Sequence, residues 1–257
     1  MHKGMEDKRR RLWLAYGLWF HFWLILITLI IGGLIILVSL LEPRATFGRK
    51  LGRLWGRLLL KIIPIPITVE GLERLVPGQT YVFAANHRSQ FDIFVLIKIL
   101  PGDFGWVAKK SLFQIPIFGQ VMSSLGNISI DRSNLQDAVK SLNQAAELAR
   151  AGRSFVIFPE GTRATSRELL PFKKGVFIMA GKAGQPIVPI TINGTLAIQP
   201  RGTIHVRPGA IKVIISPPVD PQDFKGRPKE ELMAAVHQAI AGHFDPDYPY
   251  GPAKLHG

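Results

Sequence analysis

The chain lacks several features outright, and each absence excludes a class of chemistry. Its 257 residues include no cysteine, which excludes disulfides, thiolate metal ligands and a cysteine nucleophile. No Gly-x-Ser-x-Gly stretch occurs, so the chain offers no serine nucleophile on a strand-to-helix elbow. The histidines are scattered without the spacing of metal ligands, and we therefore expect no metal site.

Acidic residues are also scarce. The chain has 18 Asp and Glu against 32 Lys and Arg, for a formal net charge of +14. Eleven of the basic residues and three of the acidic ones lie before residue 62, beside the most apolar part of the chain. A basic chain suits an anionic partner, either nucleic acid or a membrane surface. The apolar neighbour favours membrane lipids, and we expect no nucleic acid partner.

Residues 12–41 contain no Asp, Glu, Lys or Arg. As one helix they would extend about 45 Å, against roughly 30 Å of bilayer hydrocarbon. The run is too long for a typical signal peptide and lacks its cleavage site, so we expect it to be retained. Basic clusters flank it on both sides, which leaves two topologies open. One is a single crossing, and the other is a hairpin within one leaflet, bent at Gly32 and Gly33.

The segment that follows, residues 44–63, has the pattern of an amphipathic helix. Lys50, Arg53, Arg57 and Lys61 share one face, and leucine and tryptophan recur on the opposite face. This pattern is typical of a helix in the headgroup region, where each basic group contributes about 1 kcal/mol. A helix packed on the protein is the alternative. We therefore predict that residues 1–63 form a membrane-associated, partly membrane-embedded helical segment.

From residue 64 onward, short apolar runs alternate with helical patterns, which predicts an α/β domain over residues 64–245. The runs are continuously apolar, as in strands covered on both faces, and indicate a mixed, largely parallel central sheet flanked by helices. A Pro-rich tail at 246–257 is expected to be poorly ordered. Strands are predicted at 65–71, 80–86, 104–109, 126–131, 154–160, 186–193 and 210–216, and helices at about 90–100, 111–123, 134–152, 172–184 and 228–243.

A histidine and an aspartate follow the second predicted strand, in the stretch YVFAANHRSQFD. His87 lies where the strand gives way to a helix, and Asp92 lies five residues later in the first helical turn. Asp92 can accept a hydrogen bond from one imidazole nitrogen and leave the other free to take a proton. Such a general base typically contributes about 10²–10⁴-fold in rate. The alternative is a pair of polar loop residues without a chemical role.

Cations follow two other predicted strands. Lys109 and Lys110 end one strand, and Arg163 lies in the loop FPEGTR after another, where Gly161 permits a tight turn. In open α/β sheets, the loops at the carboxyl ends of the strands bind ligands. Converging cations suit a phosphate through charge-assisted and bidentate hydrogen bonds. A generally basic surface is the alternative.

Taken together, these stretches resemble the 1-acyl-sn-glycerol-3-phosphate acyltransferase family of glycerolipid acyltransferases. Residues 86–92 look like the family's Asn-His-x-x-x-x-Asp block. The other similar segments are 108–112 (AKKSL), 126–132 (GNISIDR), 158–163 (FPEGTR) and 186–190 (PIVPI). The resemblance covers roughly residues 65–220 in the family's order, and the ordered set is far more specific than any one block.

The resemblance implies transfer of a fatty acyl group from an acyl thioester, acyl-CoA or acyl carrier protein, to the sn-2 hydroxyl of 1-acyl-sn-glycerol 3-phosphate. The product would be phosphatidic acid, and no cofactor would be needed. His87 would act as general base and Asp92 would orient it. The residues implied to bind phosphate are Lys109, Lys110, Glu160, Gly161, Thr162 and Arg163, and those implied to contact the substrates elsewhere are Asn86, Arg132 and Pro189.

Two alternatives remain at this point. One is an acyltransferase for another lyso-acceptor, such as glycerol 3-phosphate or a lyso-aminolipid. The other is a membrane protein that binds lipid without catalysis. For the enzyme, we expect a location at the cytoplasmic face of the inner (plasma) membrane. The sequence leaves open the acyl-chain length, the choice of donor and the oligomeric state.

Overall fold

The computed structural model describes residues 2–42, 45–63 and 65–249, and the end of the predicted tail, residues 250–257, lies outside this part. The sheet strands are β1 (Ile67–Glu70), β2 (Val82–Ala85), β3 (Phe104–Lys109), β4 (Ile128–Ile130), β5 (Ser154–Ile157), β6 (Ile187–Asn193) and β7 (Ile211–Ile215). They lie in the order β1-β7-β6-β2-β5-β3-β4. All neighbours are parallel except β6 and β7, which are antiparallel. The predicted mixed, largely parallel sheet is confirmed.

Helices cover both faces of this sheet. They are α1 (His2–Leu41), α2 (Thr46–Ile62), α3 (Phe91–Ile99), α4 (Lys110–Phe113), α5 (Phe118–Ser124), α6 (Leu135–Arg150), α7 (Gly175–Ala183), α8 (Thr195–Ile198) and α9 (Lys229–Ala241). Successive side chains of a strand point to opposite faces. Phe83 and Ala85 of β2 therefore pack with α1, α2 and α3, whereas Val82 and Ala84 pack with α6, α7 and α9. Burial on both faces explains the continuously apolar runs.

Helix α1 is continuous, so the predicted bend at Gly32 and Gly33 is wrong. Gly32 instead admits α5, because a Cβ atom there would lie 3.1 Å from Cγ2 of Ile117. Trp55 of α2 donates a hydrogen bond from Nε1 to Thr28 Oγ1 at 2.9 Å, which joins the two helices. The face of α1 turned away from the domain exposes large apolar side chains, among them Leu18, Trp19, Phe22, Ile25, Leu29, Ile30, Leu34 and Leu37.

The helix predicted at 111–123 is divided into α4 and α5. Pro116 lies in the break, and proline interrupts a helix because it has no N–H to donate. Gly119 makes the return possible, since a Cβ atom at that position would lie 2.0 Å from the carbonyl oxygen of Phe113. The other predicted helices are present with shifted ends, and α8 was not predicted. The division of the chain at residues 63 and 245 stays a prediction.

Candidate active site

His87 follows β2 and Asp92 lies in the first turn of α3, so the chain folds back on itself as the spacing predicts. His87 Nδ1 and Asp92 Oδ2 are 2.8 Å apart. The same Oδ2 atom accepts hydrogen bonds from the backbone N–H groups of Arg88 at 2.7 Å and Ser89 at 2.8 Å. Asp92 is fully buried. The carboxylate is therefore fixed by its neighbours, and with Nδ1 occupied, Nε2 is the ring nitrogen free for chemistry.

An aromatic stack fixes the plane of the imidazole. The His87 ring lies on Phe158, with ring centroids 3.8 Å apart and an interplanar angle of 9°. Trp106 also stacks on Phe158, with ring centroids 5.9 Å apart. Phe158 directly follows β5, and β5 lies between β2 and β3, so the sheet order brings the three rings together. His87 keeps about 13% of its side chain exposed, which leaves it accessible to a substrate.

The Glu160 carboxylate stabilises the loop that contains His87. Its Oε1 accepts the backbone N–H of His87 at 2.7 Å, and its Oε2 accepts that of Leu170 at 3.0 Å. A further backbone bond runs from Ala164 N to His87 O, 2.9 Å long. Burial raises the pKa of Glu160, and the hydrogen bonds from His87 and Leu170 oppose that rise. Both oxygens of Glu160 thus bind the backbone, and a carboxylate repels phosphate, so the structure favours a supporting role; the phosphate contact of Glu160 stays a prediction.

Asn86 and Pro189 also lie behind the site. Asn86 donates from Nδ2 to the carbonyl of Ile192 at 2.9 Å and accepts at Oδ1 from the N–H of Ile192 at 2.7 Å. Pro189 is buried in β6, where it pairs with Ala84 of β2. The substrate contact expected of both residues stays a prediction. They join β2 to β6 and hold the start of the His87 loop.

A cavity of about 450 Å³ opens beside His87. Its wall is mostly apolar and comes from α1, α2, α3, β3 and α5, through residues such as Ile31, Ile97, Trp106 and Leu125. The aromatic stack forms part of the same wall. The cavity therefore joins a polar end at His87 to an apolar end between the sheet domain and its N-terminal helices. Such a shape suits a molecule with a charged head and an acyl chain.

Six cations line this cavity: Arg49 and Arg53 of α2, and a second group of four, namely Lys109, Arg132, Arg163 and Arg201. Within the described ranges, none of this second group forms an ion pair with a carboxylate. Burial, and then the neighbouring charge of Arg201, lower the pKa of Arg163. Burial likewise lowers the pKa of Arg132. The charge of Asp92 opposes the fall in the pKa of Arg163 only in part. Neither guanidinium group forms an ion pair in the described part of the chain, and a phosphate is an anion that can pair with them.

The other predicted phosphate contacts divide into two groups. Gly161 and Thr162 line the cavity, and Gly161 has a positive φ of 75°, which glycine adopts without strain. Lys110 does not join them. Its Nζ lies 3.1 Å from Asp131 Oδ2 on the surface, and its phosphate contact stays a prediction. Lys109 remains the lysine of this pair that lines the cavity.

Two residues of the site escaped the sequence analysis. Arg88 is 2% exposed, and its Nη1 donates to the carbonyl oxygen of Glu168 at 2.9 Å. Its guanidinium lies 4.6 Å from the ring centroid of Phe244. It thereby holds the segment after Arg163 against the end of the domain. The second is Arg201, which no motif marks. Among the described residues, no group of three or more His, Asp or Glu side chains could hold a metal ion.

The chain is similar to known proteins over most of its length. Residues 66–193 match the family model described as Acyltransferase. The 1-acyl-sn-glycerol-3-phosphate acyltransferase of Cocos nucifera is 33% identical over 221 residues, which cover 85% of this chain and 71% of that protein. The protein of the same name from Salmonella typhimurium is 32% identical over 217 residues, covering 82% of this chain and 84% of that one.

The fold also matches a solved structure. The crystal structure of the 1-acyl-sn-glycerophosphate (LPA) acyltransferase PlsC from Thermotoga maritima aligns with a TM-score of 0.76 and 28% sequence identity. The alignment covers 91% of this chain and 94% of that one. It therefore includes most of the N-terminal helices as well as the sheet domain.

Proposed function

The chain belongs to the 1-acyl-sn-glycerol-3-phosphate acyltransferase family, and from this we propose how its site performs acyl transfer. The protein is an O-acyltransferase that converts 1-acyl-sn-glycerol 3-phosphate to phosphatidic acid. The observation that carries the proposed mechanism is the 2.8 Å contact between His87 Nδ1 and Asp92 Oδ2 at the polar end of an apolar cavity.

We propose that His87 is the general base. Nε2 takes the proton of the acceptor's sn-2 hydroxyl as the hydroxyl oxygen attacks the carbonyl carbon of the acyl thioester. A C–O bond forms, the C–S bond breaks, and the leaving thiolate receives the proton from His87. Asp92 holds the ring in place and stabilises the positive charge that the imidazole carries between these two proton transfers. This chemistry needs no covalent acyl-enzyme and no cofactor beyond the thioester, which is acyl-CoA or an acyl carrier protein.

We propose that Arg163 and Lys109 bind the phosphate of the acceptor. Both line the polar end of the cavity, at the carboxyl ends of the adjacent strands β5 and β3. Arginine can bind phosphate through two parallel hydrogen bonds, whereas lysine acts as a point charge. Arg163→Ala should mainly raise the KM for the phosphorylated acceptor, because its contact is made in the ground state as well as in the transition state.

The apolar part of the cavity is the proposed site of an acyl chain. Burial of each CH₂ group contributes about 0.8 kcal/mol, so an apolar wall holds a long chain firmly. Ile31 and Ile35 of α1 and Gly52 of α2 form this part of the wall together with α5. The acyl chain would thus lie directly beneath the two N-terminal helices.

These helices associate the protein with a membrane. Within the described part of the chain, Asp7–Leu41 is the helix that is long and apolar enough to cross one. Contacts with the domain extend along α1, from Trp13, whose carbonyl accepts Val206 N–H at 3.1 Å, to Ser39, whose hydroxyl donates to Ser124 at 3.3 Å. A helix held to the domain at both ends favours an arrangement in which α1 stays in one leaflet as a straight helix, without the bend of the predicted hairpin. We propose the cytoplasmic face of the inner membrane, where anionic lipids attract the basic face of α2.

A substrate panel with a matched histidine variant tests this function. Wild type, His87→Ala and His243→Ala are given labelled acyl-CoA or acyl carrier protein with 1-acyl-sn-glycerol 3-phosphate, glycerol 3-phosphate or a lyso-aminolipid. We expect phosphatidic acid from wild type and from His243→Ala, whose side chain is exposed. His87→Ala should lose about 10²–10⁴-fold in kcat with its circular dichroism unchanged. Full activity of His87→Ala would refute the role of His87 as general base. Preference for another acceptor would refute the assignment of 1-acyl-sn-glycerol 3-phosphate as the acceptor.

A further inference from the structure

Arg201 lies far along the chain from the other phosphate candidates but contacts two of them. Its Nη1 donates to Thr162 Oγ1 at 3.0 Å and lies 3.5 Å from the carbonyl oxygen of Arg163. All three residues line the cavity. Because Thr162 Oγ1 accepts the guanidinium hydrogen, its own hydroxyl hydrogen is free to point at an anion. Arg201 therefore adds a cation to the site and orients a neutral donor beside it.

Arg201 reaches the backbone of Arg163, and in the part of the chain that the structure describes neither guanidinium group forms an ion pair. The two positive charges repel one another, and the charge of Asp92 offsets this only in part. A phosphomonoester carries about −1.5 to −2 charges near neutral pH and offers three strong acceptor oxygens. One such group can bind both guanidinium groups and the Thr162 hydroxyl. An uncharged glyceride would leave the repulsion in place.

The segment that carries Arg201, residues 199–207, is called here the Arg201 loop, and it is anchored to the turn between His87 and α3. Ser89 Oγ donates to the Gln199 carbonyl at 2.8 Å, and Gln90 Nε2 donates to Gln199 Oε1 at 2.6 Å. Gln199 also closes the loop on itself, because its Nε2 donates to the Thr203 carbonyl at 3.2 Å. Arg201 thus has a fixed position relative to the loop of His87.

The other side of the Arg201 loop rests on α1. Besides the bond from Val206 N to Trp13 O, the guanidinium of Arg207 lies 4.4 Å from the Trp13 ring. Gly17 makes the closest approach, since a Cβ atom there would lie 1.9 Å from the carbonyl oxygen of Ile204. Contact with a backbone oxygen cannot be relieved by a side-chain rotation. Any side chain at position 17 must therefore move α1 or the Arg201 loop.

We propose that Arg201 is a phosphate-binding residue of the acceptor site and sets the preference for a phosphorylated over an uncharged acceptor. The proposal rests on the function proposed above, in which the acceptor is 1-acyl-sn-glycerol 3-phosphate. The Arg201 loop holds the guanidinium in place by bridging α3 and α1. Arg201 is thus a binding residue, and Gly17 is a positioning residue that acts through the loop.

The first test compares Arg201→Ala and Arg201→Lys with wild type on 1-acyl-sn-glycerol 3-phosphate and on 1-monoacylglycerol. We expect Arg201→Ala to raise the KM for the phosphorylated acceptor about 10-fold or more with kcat within about threefold, because uniform binding is lost. Arg201→Lys should recover part of this loss, and the rate with monoacylglycerol should not fall. Arg227→Ala is the matched control, since Arg227 lies elsewhere on the surface near Glu231.

Arg163→Ala separates the two possible failures. If Arg163→Ala raises the KM for the phosphorylated acceptor and Arg201→Ala does not, the role of Arg201 is overturned and the proposed function stands. If wild type does not distinguish the phosphorylated acceptor from monoacylglycerol, the phosphate site itself fails. Loss of kcat alone in Arg201→Ala, with KM unchanged, would also overturn the binding role.

The second test uses two glycines of α1. Gly17→Ala should displace the Arg201 loop and raise the KM for the phosphorylated acceptor several-fold. Gly33→Ala is the control, because a Cβ atom at Gly33 meets no other heavy atom within 4 Å. Thermal unfolding in detergent shows whether each variant is folded. An equal loss of activity on both acceptors in a folded Gly17→Ala would overturn the claim that the loop acts through the phosphate.

Discussion

The two ends of the cavity treat positive charge in opposite ways. At the end beside α2, Arg49 Nε lies 2.6 Å from Asp103 Oδ2 and is paired within the protein. At the end beside His87, Arg201 contacts the backbone of Arg163, and neither arginine forms an ion pair in the described part of the chain. Arg49 is therefore neutralised within the protein, and its neighbour Arg53, which also lines the cavity there, donates to the Leu100 carbonyl at 3.2 Å. At the proposed site of acyl transfer, Arg163 and Arg201 are left for the substrate to neutralise.

The comparison teaches which charges to assign to function. Lys109 and Lys110 are neighbours in sequence, yet Lys109 lines the cavity and Lys110 is paired with Asp131. A structural ion pair satisfies a cation before any ligand arrives, and exposed pairs contribute only about 0–1 kcal/mol to stability. A cluster of cations without partners costs free energy until an anion binds. The unpaired cations should therefore be tested by activity assays with substrates, and the paired cations by measurements of unfolding.

The largest effect is expected at the reacting end, from Asp92→Asn. An asparagine side chain carries no charge, so it accepts hydrogen bonds from the imidazole and from the N–H groups of Arg88 and Ser89 more weakly than the carboxylate does. The ring of His87 therefore loses its orientation. We expect kcat to fall about 10²–10⁴-fold, with a much smaller change in the KM for the acceptor. Steady-state kinetics in mixed micelles measures both. A kcat within about threefold of wild type would show that the carboxylate does not support the base.

A smaller effect is expected at the apolar end, from Gly52→Val. A Cβ atom at Gly52 would lie 3.4 Å from Cδ1 of Leu125, an ordinary contact, so the helix can accept the change while the added methyl groups occupy cavity space. Loss of room for one or two methylenes is worth about 10-fold or more in specificity. The ratio of kcat/KM for long-chain over short-chain donors should fall by that factor. Short-chain donors are the internal control, and an unchanged ratio would place the acyl chain elsewhere.

The paired cation at the same end should matter least for activity. Arg49 and Asp103 are 26% and 46% exposed at their side chains. Asp103→Asn should therefore lower the free energy of unfolding by at most about 1 kcal/mol, and less at high salt, where screening already weakens the pair. Denaturation at two salt concentrations measures this change. A tenfold loss in acyl transfer would contradict the division between the two ends.

The smallest effect is expected at the ion pair between Lys110 and Asp131. The Ser133 hydroxyl, its backbone N–H and then Lys110 lower the pKa of Asp131 from 3.8 to about 2. The folded carboxyl thus has the lower pKa, so its contribution to stability is present above about pH 3.8 and is lost as the pH falls towards 2. NMR titration of Ser133→Ala should show the pKa of Asp131 moving back towards 3.8. An unchanged pKa would mean that Ser133 does not stabilise the ionised form.

Local features of this site could be predicted from the sequence. His87 and Asp92 are five residues apart at the start of a helix, and a strand-to-helix turn allows few relative positions of their two side chains. The strands were recognisable because burial on both faces leaves uninterrupted apolar runs. Gly161, Thr162 and Arg163 lie in one turn after β5. A prediction that assigns one of them to the phosphate site therefore assigns the other two as well.

Long-range contacts could not be predicted in this way. Asn86 binds the backbone of Ile192, 106 residues away, and nothing in its motif shows that its amide faces a strand rather than a substrate. Glu160 was assigned to phosphate because of its block, whereas its burial against backbone N–H groups depends on the packed loops. Gly32 was assigned to a bend, but a glycine that admits a neighbouring helix has the same sequence signal. Arg201 reaches the site only through the tertiary fold.

Helix α1 has a consequence for handling the protein. Phe20 is completely buried, its ring lying 4.9 Å from that of Phe91 and 6.0 Å from that of Phe94. Cutting the chain after α1 would uncover this aromatic surface on the remaining sheet domain. A truncated fragment should therefore precipitate rather than become a soluble version of the enzyme, and purification has to keep the detergent. The helix that we propose anchors the protein to lipid also covers this aromatic surface, so removing it for one purpose removes both.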